Sequence, residues 1–360
     1  MTSPSRAASP LDAENLRARV QDVVTGFLDR QRPILTSISP ETVPLGDALG
    51  DLLAGGKRLR PAFCYWGWRA AGGNDCQEAI VAASSLEFLQ ACALIHDDVM
   101  DGSDTRRGMP AAHRRFATIH RGAGWLGSPE NFGVGAAILL GDLCLSWADE
   151  LLYTCGLDAD SLRRGKAMYD IMRTELMAGQ YLDLLEQAVG GGSVERALTV
   201  VRYKSAKYTI ERPLHLGASL AGANDQVIAT LSDYGLPLGE AFQLRDDVLG
   251  VFGDPSQTGK PAGDDLREGK RTVLIAETLE RCTSAEADEV RRHLGDPALS
   301  LEGVNALREI ITTSGALARA ESTISEYTER ALTAARSPLL APEAVTVLEG
   351  LAIAATSRSM

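Results

Sequence analysis

The sequence predicts an all-α protein, and three observations support this prediction. Aromatic residues make up only 5% of the chain, and no segment shows the sustained alternation of β-branched residues that a sheet would need. Apolar residues recur instead at spacings of three and four, the period of an amphipathic helix. The breaks between these runs are short and rich in Gly, Pro or Asp, like ordinary helix connections. We therefore expect one large antiparallel helix bundle.

Each predicted helix corresponds to one periodic run of apolar residues. The runs cover residues 11–35, 79–95, 135–152, 161–185, 194–220 and 227–249, and further helix is expected up to the C-terminus. The first residues are small and polar, so residues 1–10 predict a flexible tail and not a signal peptide. No change in composition divides the remainder, and we expect residues 11–360 to form a single domain.

The composition excludes several classes of function. The chain has 360 residues, of which 45% are hydrophobic, enough for a sizeable core. Its formal charge of -12 argues against a nucleic-acid-binding protein, so an anionic ligand would need local basic residues or metal ions. Six cysteines without a CxxC pair indicate free thiols, and we place the protein in the cytoplasm. Residues 132–141, the longest nearly uncharged stretch, are too short for a transmembrane segment, which needs about 20 residues.

An acidic motif follows the apolar helix that ends near residue 95. Asp97 and Asp101 are four residues apart, so a continuing helix places both carboxylates on one face, with Asp98 beside them. Such carboxylates repel unless a cation lies between them, and oxygen ligands without a His or Cys cluster suit Mg²⁺. The alternative is an acidic, solvated loop at the end of a helix, because Gly102 and Ser103 follow at once.

Two arginines after this motif favour the binding of a phosphate. Arg106 and Arg107 can each hold phosphate oxygens bidentately, although isolated arginines more often pair with surface carboxylates. The dipeptide His96-Asp97 also resembles that of metal-dependent phosphohydrolases. The remaining histidines have no matching context, which argues against a hydrolase.

A second acidic pair, Asp246 and Asp247, ends another apolar helix, and Gln243 shares a face with Asp246. The loop after it carries Lys260 between glycines and could close over a phosphate, although most such loops are simply surface. Lys204 and Ser205 lie on an apolar helix and could contact a second phosphate, or the lysine could merely extend to solvent.

A basic cluster lies near the N-terminus. Lys57 and Arg60 project together if this segment is helical, which suits an anion site or a solvated basic face. The segment is not a nucleotide P-loop, because Arg58 follows Lys57 and Asp51 replaces the first required Gly.

In this order, the motifs from about Gly55 to Arg271 strongly resemble those of the trans-isoprenyl diphosphate synthases, which include farnesyl and geranylgeranyl diphosphate synthases. The resemblance implies the isoprenoid synthase fold, a helix bundle with a central apolar cavity, and a homodimer. It also implies head-to-tail condensation of isopentenyl diphosphate with dimethylallyl, geranyl or farnesyl diphosphate. A class I terpene cyclase shares the first motif, but its second motif is an Asn/Ser/Glu triad, unlike the Gln-x-x-Asp-Asp segment here.

The resemblance assigns roles to the candidate residues. Asp97 and Asp101 would hold two Mg²⁺ ions and Asp246 a third, about three ions per active site. Asp98 and Asp247 would support these aspartates. The allylic diphosphate would be held by the ions together with Arg106, Lys204 and Lys260, while Ser205 and Gln243 would line the site. The groups that bind isopentenyl diphosphate would be Lys57, Arg60, Gln90 and Arg107. Gln180 and Asp183 match a further family motif that faces the same cavity.

This sequence departs from the family pattern at two positions. Gly250 stands where many members have the third Asp of the second motif, so that motif has two carboxylates. Ser205 stands where Thr is frequent, which keeps the hydroxyl. We expect activity to survive both changes. A class I terpene cyclase and a non-catalytic subunit of a heteromeric synthase remain the alternative functions.

The residues before Asp97 predict the product length. Ala93 and Leu89 lie four and eight residues before it on the same helical stripe, and Cys92 adjoins Ala93. Bulky aromatic residues here would stop a growing chain early, whereas Cys92 and Ala93 are small. We expect geranylgeranyl diphosphate as the main product, with farnesyl or a longer diphosphate as the alternative. Phe88 could form the floor of the tube or simply pack in the core.

Overall fold

The computed structural model of the chain describes residues 9–190, 193–254 and 263–357. Within these ranges the all-α prediction is confirmed, because every element longer than two residues is a helix. The α-helices are α1 (Leu16–Ile38), α2 (Val43–Leu53), α3 (Leu59–Ala70), α4 (Gln77–Met100), α5 (Ala112–Ala123), α6 (Pro129–Tyr153), α7 (Ala159–Val189), α8 (Val194–Val200), α9 (Arg212–Leu220), α10 (Asp225–Phe252), α11 (Asp264–Glu268), α12 (Val273–Arg281), α13 (Ser284–His293), α14 (Leu301–Thr313), α15 (Ala316–Ala335) and α16 (Pro342–Thr356).

Three helices of other types and one short hairpin complete the described elements. The segments Pro10–Asn15 and Pro40–Thr42 are 3₁₀-helices, and Val201–Glu211 is a π-helix between α8 and α9. The strands β1 (Thr105–Arg106) and β2 (Met109–Pro110) pair antiparallel. The hairpin and the π-helix were not predicted from the apolar periodicity.

The chain forms two compact units. Unit 1 comprises Met1–Tyr65 and Asn74–Leu162, and unit 2 comprises Trp66–Gly73 and Arg163–Met360. The single domain over residues 11–360 stays a prediction. Of the predicted tail, residues 1–8 lie outside the described residues, whereas the Ser9 side chain accepts a hydrogen bond from the N–H of Leu11 at 3.3 Å.

In unit 1, α4 is the central helix and packs against α1 and α6, while α5 packs on α6. Phe88 of α4 meets two other aromatic rings edge to face, Phe27 of α1 at 5.0 Å and Trp147 of α6 at 6.2 Å between centroids. This aromatic cluster joins three helices, because edge-to-face pairs add attraction beyond the area that they bury. It fixes the helix that ends in the first acidic motif.

Two helices of unit 1 are long and apolar enough, by length and composition alone, to span a membrane. In α4, 72% of the most apolar stretch is buried inside the protein, as in a core helix, but in α6 only 39% is buried. The uncharged residues 132–141 therefore underestimate the length of the apolar segment. They end before Asp142, although α6 continues to Tyr153. The absence of a transmembrane segment stays a prediction.

In unit 2, α10 packs against the π-helix and α15. Apolar residues of α10, α12, α14 and α15 share one hydrophobic core. Arg245 of α10 binds Glu321 of α15 through two parallel hydrogen bonds of 2.6 and 2.7 Å. This core holds the end of α10, where the second acidic motif lies.

Glycines allow the π-helix to approach its neighbours closely. A Cβ on Gly179 of α7 would lie 2.8 Å from the Cα of Lys204, and one on Gly239 of α10 would lie 2.6 Å from the Cα of Ala206. No real side chain tolerates such contacts, so both positions require glycine. π-Helical turns occur frequently at functional sites, and this one carries Lys204 and Ser205.

Candidate active site

The first acidic motif forms the last turn of α4. The N–H of Asp101 donates to the carbonyl oxygen of Asp97 at 2.8 Å, so the two residues are one helical turn apart. Asp97 is half-buried and Asp101 is exposed, whereas Asp98 is buried. Burial raises the pKa of Asp98, against the lowering effect of Arg106. The three carboxylates therefore differ: two are accessible to a ligand, and the third is enclosed.

The hairpin after α4 presents Arg106 to these carboxylates. Arg106 on β1 donates through Nε to Asp98 Oδ1 at 2.9 Å and through Nη2 to Asp97 Oδ2 at 3.4 Å. The loop residues Arg107 and Gly108 have φ angles of 54° and 76°, as in the type I′ turn that suits a two-residue hairpin. The hairpin thus holds one guanidinium against two neighbouring acidic groups.

Arg107 lies against the basic segment near the N-terminus of the chain. Its Nη1 donates to the carbonyl oxygens of Leu52 and Gly55, both at 2.9 Å. A Cβ on Gly56 would lie 3.3 Å from Nη2 of Arg107, and the φ of Gly56 is 133°, which also favours glycine. Arg107 therefore holds the backbone of this loop by hydrogen bonds and also places a positive charge beside it.

The charges of three arginines act on Arg107 in this part of unit 1. Burial lowers the pKa of Arg107, and the charges of Arg58, Arg106 and Arg60 lower it further, against the opposite effect of Glu87. The predicted partners for two different diphosphates are therefore neighbours in space. Such a concentration of positive charge in an acidic protein suits a strongly anionic ligand.

Arg58 is a positioning residue that the sequence analysis did not assign. Its side chain is 2% exposed, and it forms an ion pair with Glu87 of α4 and donates to the carbonyl oxygen of Leu53 at 2.6 Å. Its φ is 54°, a conformation that costs energy for a residue with a side chain. The sequence places three cationic residues within four positions, but it does not indicate which of them points inward.

The other predicted ligands of isopentenyl diphosphate lie on this basic segment and on α4. Lys57 is exposed and Arg60 is half-buried. Gln90 on α4 is half-buried, and its Oε1 atom is buried without a hydrogen-bond partner in the part of the chain that the structure describes. This oxygen can only accept a hydrogen bond, so a contact with a diphosphate would have to come from the Nε2 donor of Gln90.

The four predicted chain-length residues of α4 point in different directions. Phe88 packs on Trp147, and the Sγ of Cys92 lies 3.8 Å from Nδ1 of His96, whose Nε2 lies 3.0 Å from the carbonyl oxygen of Ile138. Phe88 and Cys92 therefore face α6, and both are fully buried. Leu89 is also fully buried, whereas Ala93 is half-buried. Leu89 and Ala93 share the stripe of Asp97, at i−8 and i−4 from it.

The second acidic motif ends α10 in unit 2. Asp246 is half-exposed and Asp247 is buried. Gln243 donates through Nε2 to Asp247 Oδ1 at 2.8 Å. Burial raises the pKa of Asp247 to about 7, against the lowering effect of Gln243, and the charges of Asp265 and Asp246 raise it further.

The structure also positions the predicted lysine of the π-helix. Lys204 donates through Nζ to Asp183 Oδ2 at 2.7 Å, and Ser205 next to it is half-buried. Gln180, one turn before Asp183 on α7, is also half-buried. The motif that contains Gln180 and Asp183 thus holds Lys204 in place. Lys260 lies outside the described residues.

The donor atoms fit Mg²⁺. In the described ranges no three His, Cys, Asp or Glu side chains come together to hold a metal ion. Mg²⁺ does not need such a cage, because it takes one or two carboxylates and completes its shell with water and phosphate oxygens. Asp97, Asp101 and Asp246 offer such carboxylates on accessible or half-exposed positions. These side chains therefore suit magnesium that arrives with a phosphate ligand.

Comparisons with known proteins reveal close relatives along most of the chain. The family model described as polyprenyl synthetase matches residues 44–311. A geranylfarnesyl diphosphate synthase of Aeropyrum pernix is 34% identical over 299 residues, which cover 82% of this chain and 87% of that protein. A geranylgeranyl diphosphate synthase of Sulfolobus acidocaldarius is 33% identical over 261 residues, which cover 72% and 73%.

A solved structure is also similar to this chain. It is that of a geranylgeranyl pyrophosphate synthase from Corynebacterium glutamicum, complexed with isoprenyl diphosphate and magnesium. The TM-score is 0.91 at 44% sequence identity, and the match covers 96% of this chain and 99% of that one.

Proposed function

The chain belongs to the polyprenyl synthetase family, and from this premise we propose that its main product is geranylgeranyl diphosphate. It is a trans-prenyltransferase that condenses isopentenyl diphosphate head-to-tail with an allylic diphosphate. The end of α4 carries the proposal, because Asp97 and Asp101 lie one turn apart and Arg106 is held beside them. This arrangement suits a diphosphate that binds together with divalent cations.

The reaction needs charge stabilisation more than it needs a protein nucleophile. The bond between the allylic carbon and the diphosphate breaks, and the double bond of isopentenyl diphosphate captures the allylic cation. The resulting cation then loses a proton to the departing diphosphate. Arg106 and Lys204 are placed by Asp98 and Asp183, so each is oriented before substrate binds. The buried stripe at Leu89 excludes water that would otherwise quench the cation.

We propose that Asp97, Asp101 and Asp246 hold about three Mg²⁺ ions, each by one or two carboxylates. When bound, magnesium neutralises the negative charge that develops on the departing diphosphate. The magnesium in the similar Corynebacterium glutamicum enzyme supports this proposal. Lys57, Arg60, Gln90 and Arg107 would bind isopentenyl diphosphate, and the effect of the Arg60 charge on Arg107 supports the assignment of these two arginines to one anion.

One incubation tests the reaction. Purified protein receives Mg²⁺, dimethylallyl diphosphate and radiolabelled isopentenyl diphosphate, and the dephosphorylated products are separated by chromatography. Labelled geranylgeraniol is expected, and farnesyl diphosphate as the starting substrate should be extended. An unlabelled hydrocarbon formed from farnesyl diphosphate would indicate a terpene cyclase, and no product from either substrate would indicate a non-catalytic subunit.

The variants Asp97→Ala and Asp101→Ala should abolish turnover. The matched control Asp104→Ala removes an exposed aspartate that pairs with Arg114 at 2.7 Å, and it should retain turnover. Persistent activity of the first two variants would contradict the metal assignment.

We further propose that the protein is a homodimer that uses the exposed side of α6. Ile138 and Leu139 are 44% and 67% exposed, and Phe132 and Tyr153 on the same helix are also exposed. A helix this apolar seldom faces water, since large exposed apolar patches usually mark an interface. The second copy is the expected partner because the family resemblance implies a homodimer.

The mass of the protein in solution tests the dimer. Wild-type protein should elute from size exclusion with twice the chain mass of 38.4 kDa, measured by light scattering. Leu139→Glu should shift it toward the monomer, whereas Ile34→Glu changes an apolar residue of α1 that is 55% exposed and should not. A monomeric wild type, or a dimer unchanged by Leu139→Glu, would contradict this interface.

The six cysteines are all free thiols, which supports our proposal that the protein works in the reducing cytoplasm.

A further inference from the structure

Position 250 is where the second acidic motif differs from the family pattern. Gly250 lies four residues after Asp246 on α10, so a side chain at position 250 would project from the face that carries Asp246. An aspartate there would add a third carboxylate to that face. The sequence supplies only a hydrogen atom.

Another carboxylate occupies this space in the structure. A Cβ built on Gly250 would collide with the carboxylate of Asp265, and it would lie 3.2 Å from the Cβ of Asp265. Asp265 belongs to the first turn of α11, and its side chain is only 13% exposed. Other glycines within helices, such as Gly122 and Gly135, have nothing within 4 Å of the same point. The contact at Gly250 is therefore specific to Asp265.

The acidic groups of the motif meet at this place. The charge of Asp265 acts on Asp247, as does that of Asp246. Asp247 is 4% exposed, and its Oδ2 is buried without a hydrogen-bond partner among the residues that the structure describes. A buried carboxylate oxygen in acidic surroundings is costly unless a donor or a cation reaches it. This oxygen is independent of the Gly250 contact and also indicates a cationic ligand.

Asp265 also has a structural partner. Its Oδ1 accepts a hydrogen bond from Lys270 Nζ at 3.2 Å, and Lys270 pairs more closely with Glu268, at 2.7 Å. Lys270 would therefore keep an ion pair without Asp265. Asp265 could therefore act in two distinct ways. It could pair with Lys270, or it could direct its carboxylate at the ligand of the second motif.

We infer that Asp265 supplies from α11 the third carboxylate that position 250 of α10 lacks. The inference rests on the proposed function, because it assigns Asp265 to the magnesium and diphosphate that Asp246 is proposed to hold. Glycine at position 250 is then a requirement of this site, since any side chain there would displace the carboxylate of Asp265.

The test measures binding and does not depend on turnover. The probe is dimethylallyl S-thiolodiphosphate, which does not ionise readily, and calorimetry gives its affinity as Mg²⁺ is titrated. Asp265→Asn keeps the shape but removes the charge, and it should weaken the apparent Mg²⁺ affinity by roughly tenfold or more, as groups around a metal site do. The matched control Asp264→Asn removes the neighbouring charge of the same turn and should stay within about twofold of wild type.

Gly250→Ala is the second variant, and it changes no charge. Alanine is favoured over glycine inside a helix, so without the Asp265 contact this change should raise the melting temperature and leave binding unaltered. We expect instead that it weakens Mg²⁺-dependent binding like Asp265→Asn. The double variant Gly250→Asp/Asp265→Gly returns the carboxylate to α10 and should recover most of the affinity.

The outcomes separate this inference from the proposed function. Wild-type affinity in both Asp265→Asn and Gly250→Ala would overturn it, and so would an equal loss in Asp264→Asn. Wild-type protein that binds the magnesium-dependent probe but makes no prenyl product would contradict the proposed function alone. Wild-type protein without any magnesium-dependent binding would overturn both.

Discussion

Lys204 carries a positive charge on the π-helix, and Asp183 on α7 determines where that charge lies. Their 2.7 Å hydrogen bond joins two charged groups whose side chains are only 25% and 22% exposed. The lysine stem is flexible, so its ammonium would otherwise sample many positions. Asp183 therefore acts as a positioning residue for the proposed contact between Lys204 and the allylic diphosphate.

Asp183→Asn should raise the KM for the allylic diphosphate. A hydrogen bond to a charged group contributes about 1.5 kcal/mol or more, so we expect an increase on the order of tenfold. The KM for isopentenyl diphosphate should change little. Steady-state kinetics with each substrate varied in turn measure both values.

The control for this variant lies on the same helix. Asp170→Asn removes an aspartate that pairs with Lys166 and is 45% exposed, and it should leave both KM values unchanged. Equal effects of the two variants, or equal increases for both substrates, would show that Asp183 does not position Lys204.

Ala93 is the residue of α4 where we expect product length to be decided. Ala93→Phe adds an aromatic ring one turn below Asp97 and should shorten the main product from geranylgeranyl to farnesyl diphosphate or less. Cys92→Phe instead adds the ring on the fully buried side toward α6, where overpacking costs about 1 to 3 kcal/mol. Chromatography of products and thermal unfolding measure the two effects.

The two substitutions thus introduce the same side chain at adjacent positions. If Cys92→Phe shortens the product without loss of stability while Ala93→Phe leaves it unchanged, Cys92 lines the tube and our choice of Ala93 is wrong.

At the scale of elements, the sequence predicted the features that arise from local periodicity. The ends of α4 and α10 follow directly from apolar runs that lead into acidic pairs. The π-helix could not be predicted, because it depends on the close approach of Gly179 and Gly239 from distant segments. The contact of Asp265 with Gly250 was equally hidden, since it joins residues of two different helices, α10 and α11. The helices and the motifs at their ends were therefore predictable, whereas the contacts between distant segments were not.

Gly179→Ala tests the packing that holds the π-helix. Its Cβ would lie 2.7 Å from the carbonyl carbon of Tyr203, which belongs to the backbone and cannot rotate away. We expect a loss of about 2 kcal/mol in the free energy of unfolding and a higher KM for the allylic diphosphate, because Lys204 moves with the backbone. Urea denaturation and kinetics provide the two measurements.

A glycine in open space serves as the control. Gly122 of α5 has nothing within 4 Å of its Cβ position, so Gly122→Ala should be neutral or slightly stabilising, as alanine is in helices. Gly179→Ala with wild-type stability would mean that α7 and the π-helix are not packed this closely.

At the scale of the whole molecule, a buried histidine links stability to pH. His215 is 2% exposed, and its Nδ1 lies 3.1 Å from Nη1 of Arg212 while its Nε2 lies 3.0 Å from Oγ of Ser232. A guanidinium only donates, so Nδ1 accepts and the imidazole is neutral. Burial lowers the pKa of His215 from 6.5 to about 4, and this effect outweighs the opposing charge of Glu211.

The protein should lose stability between about pH 6.5 and pH 4 because of this histidine. Above pH 6.5 the imidazole is neutral in both the folded and the unfolded protein. Below pH 6.5 the unfolded chain binds a proton at this histidine, whereas the folded protein does not bind it until about pH 4. The loss reaches about 3 kcal/mol. His215→Gln does not titrate and should flatten the curve of unfolding free energy against pH across this window. The control is His293→Gln, which removes a histidine that pairs with Glu289 at the surface. If the slope of unfolding free energy against pH is unchanged in His215→Gln, or if the control flattens it equally, the acid sensitivity arises elsewhere.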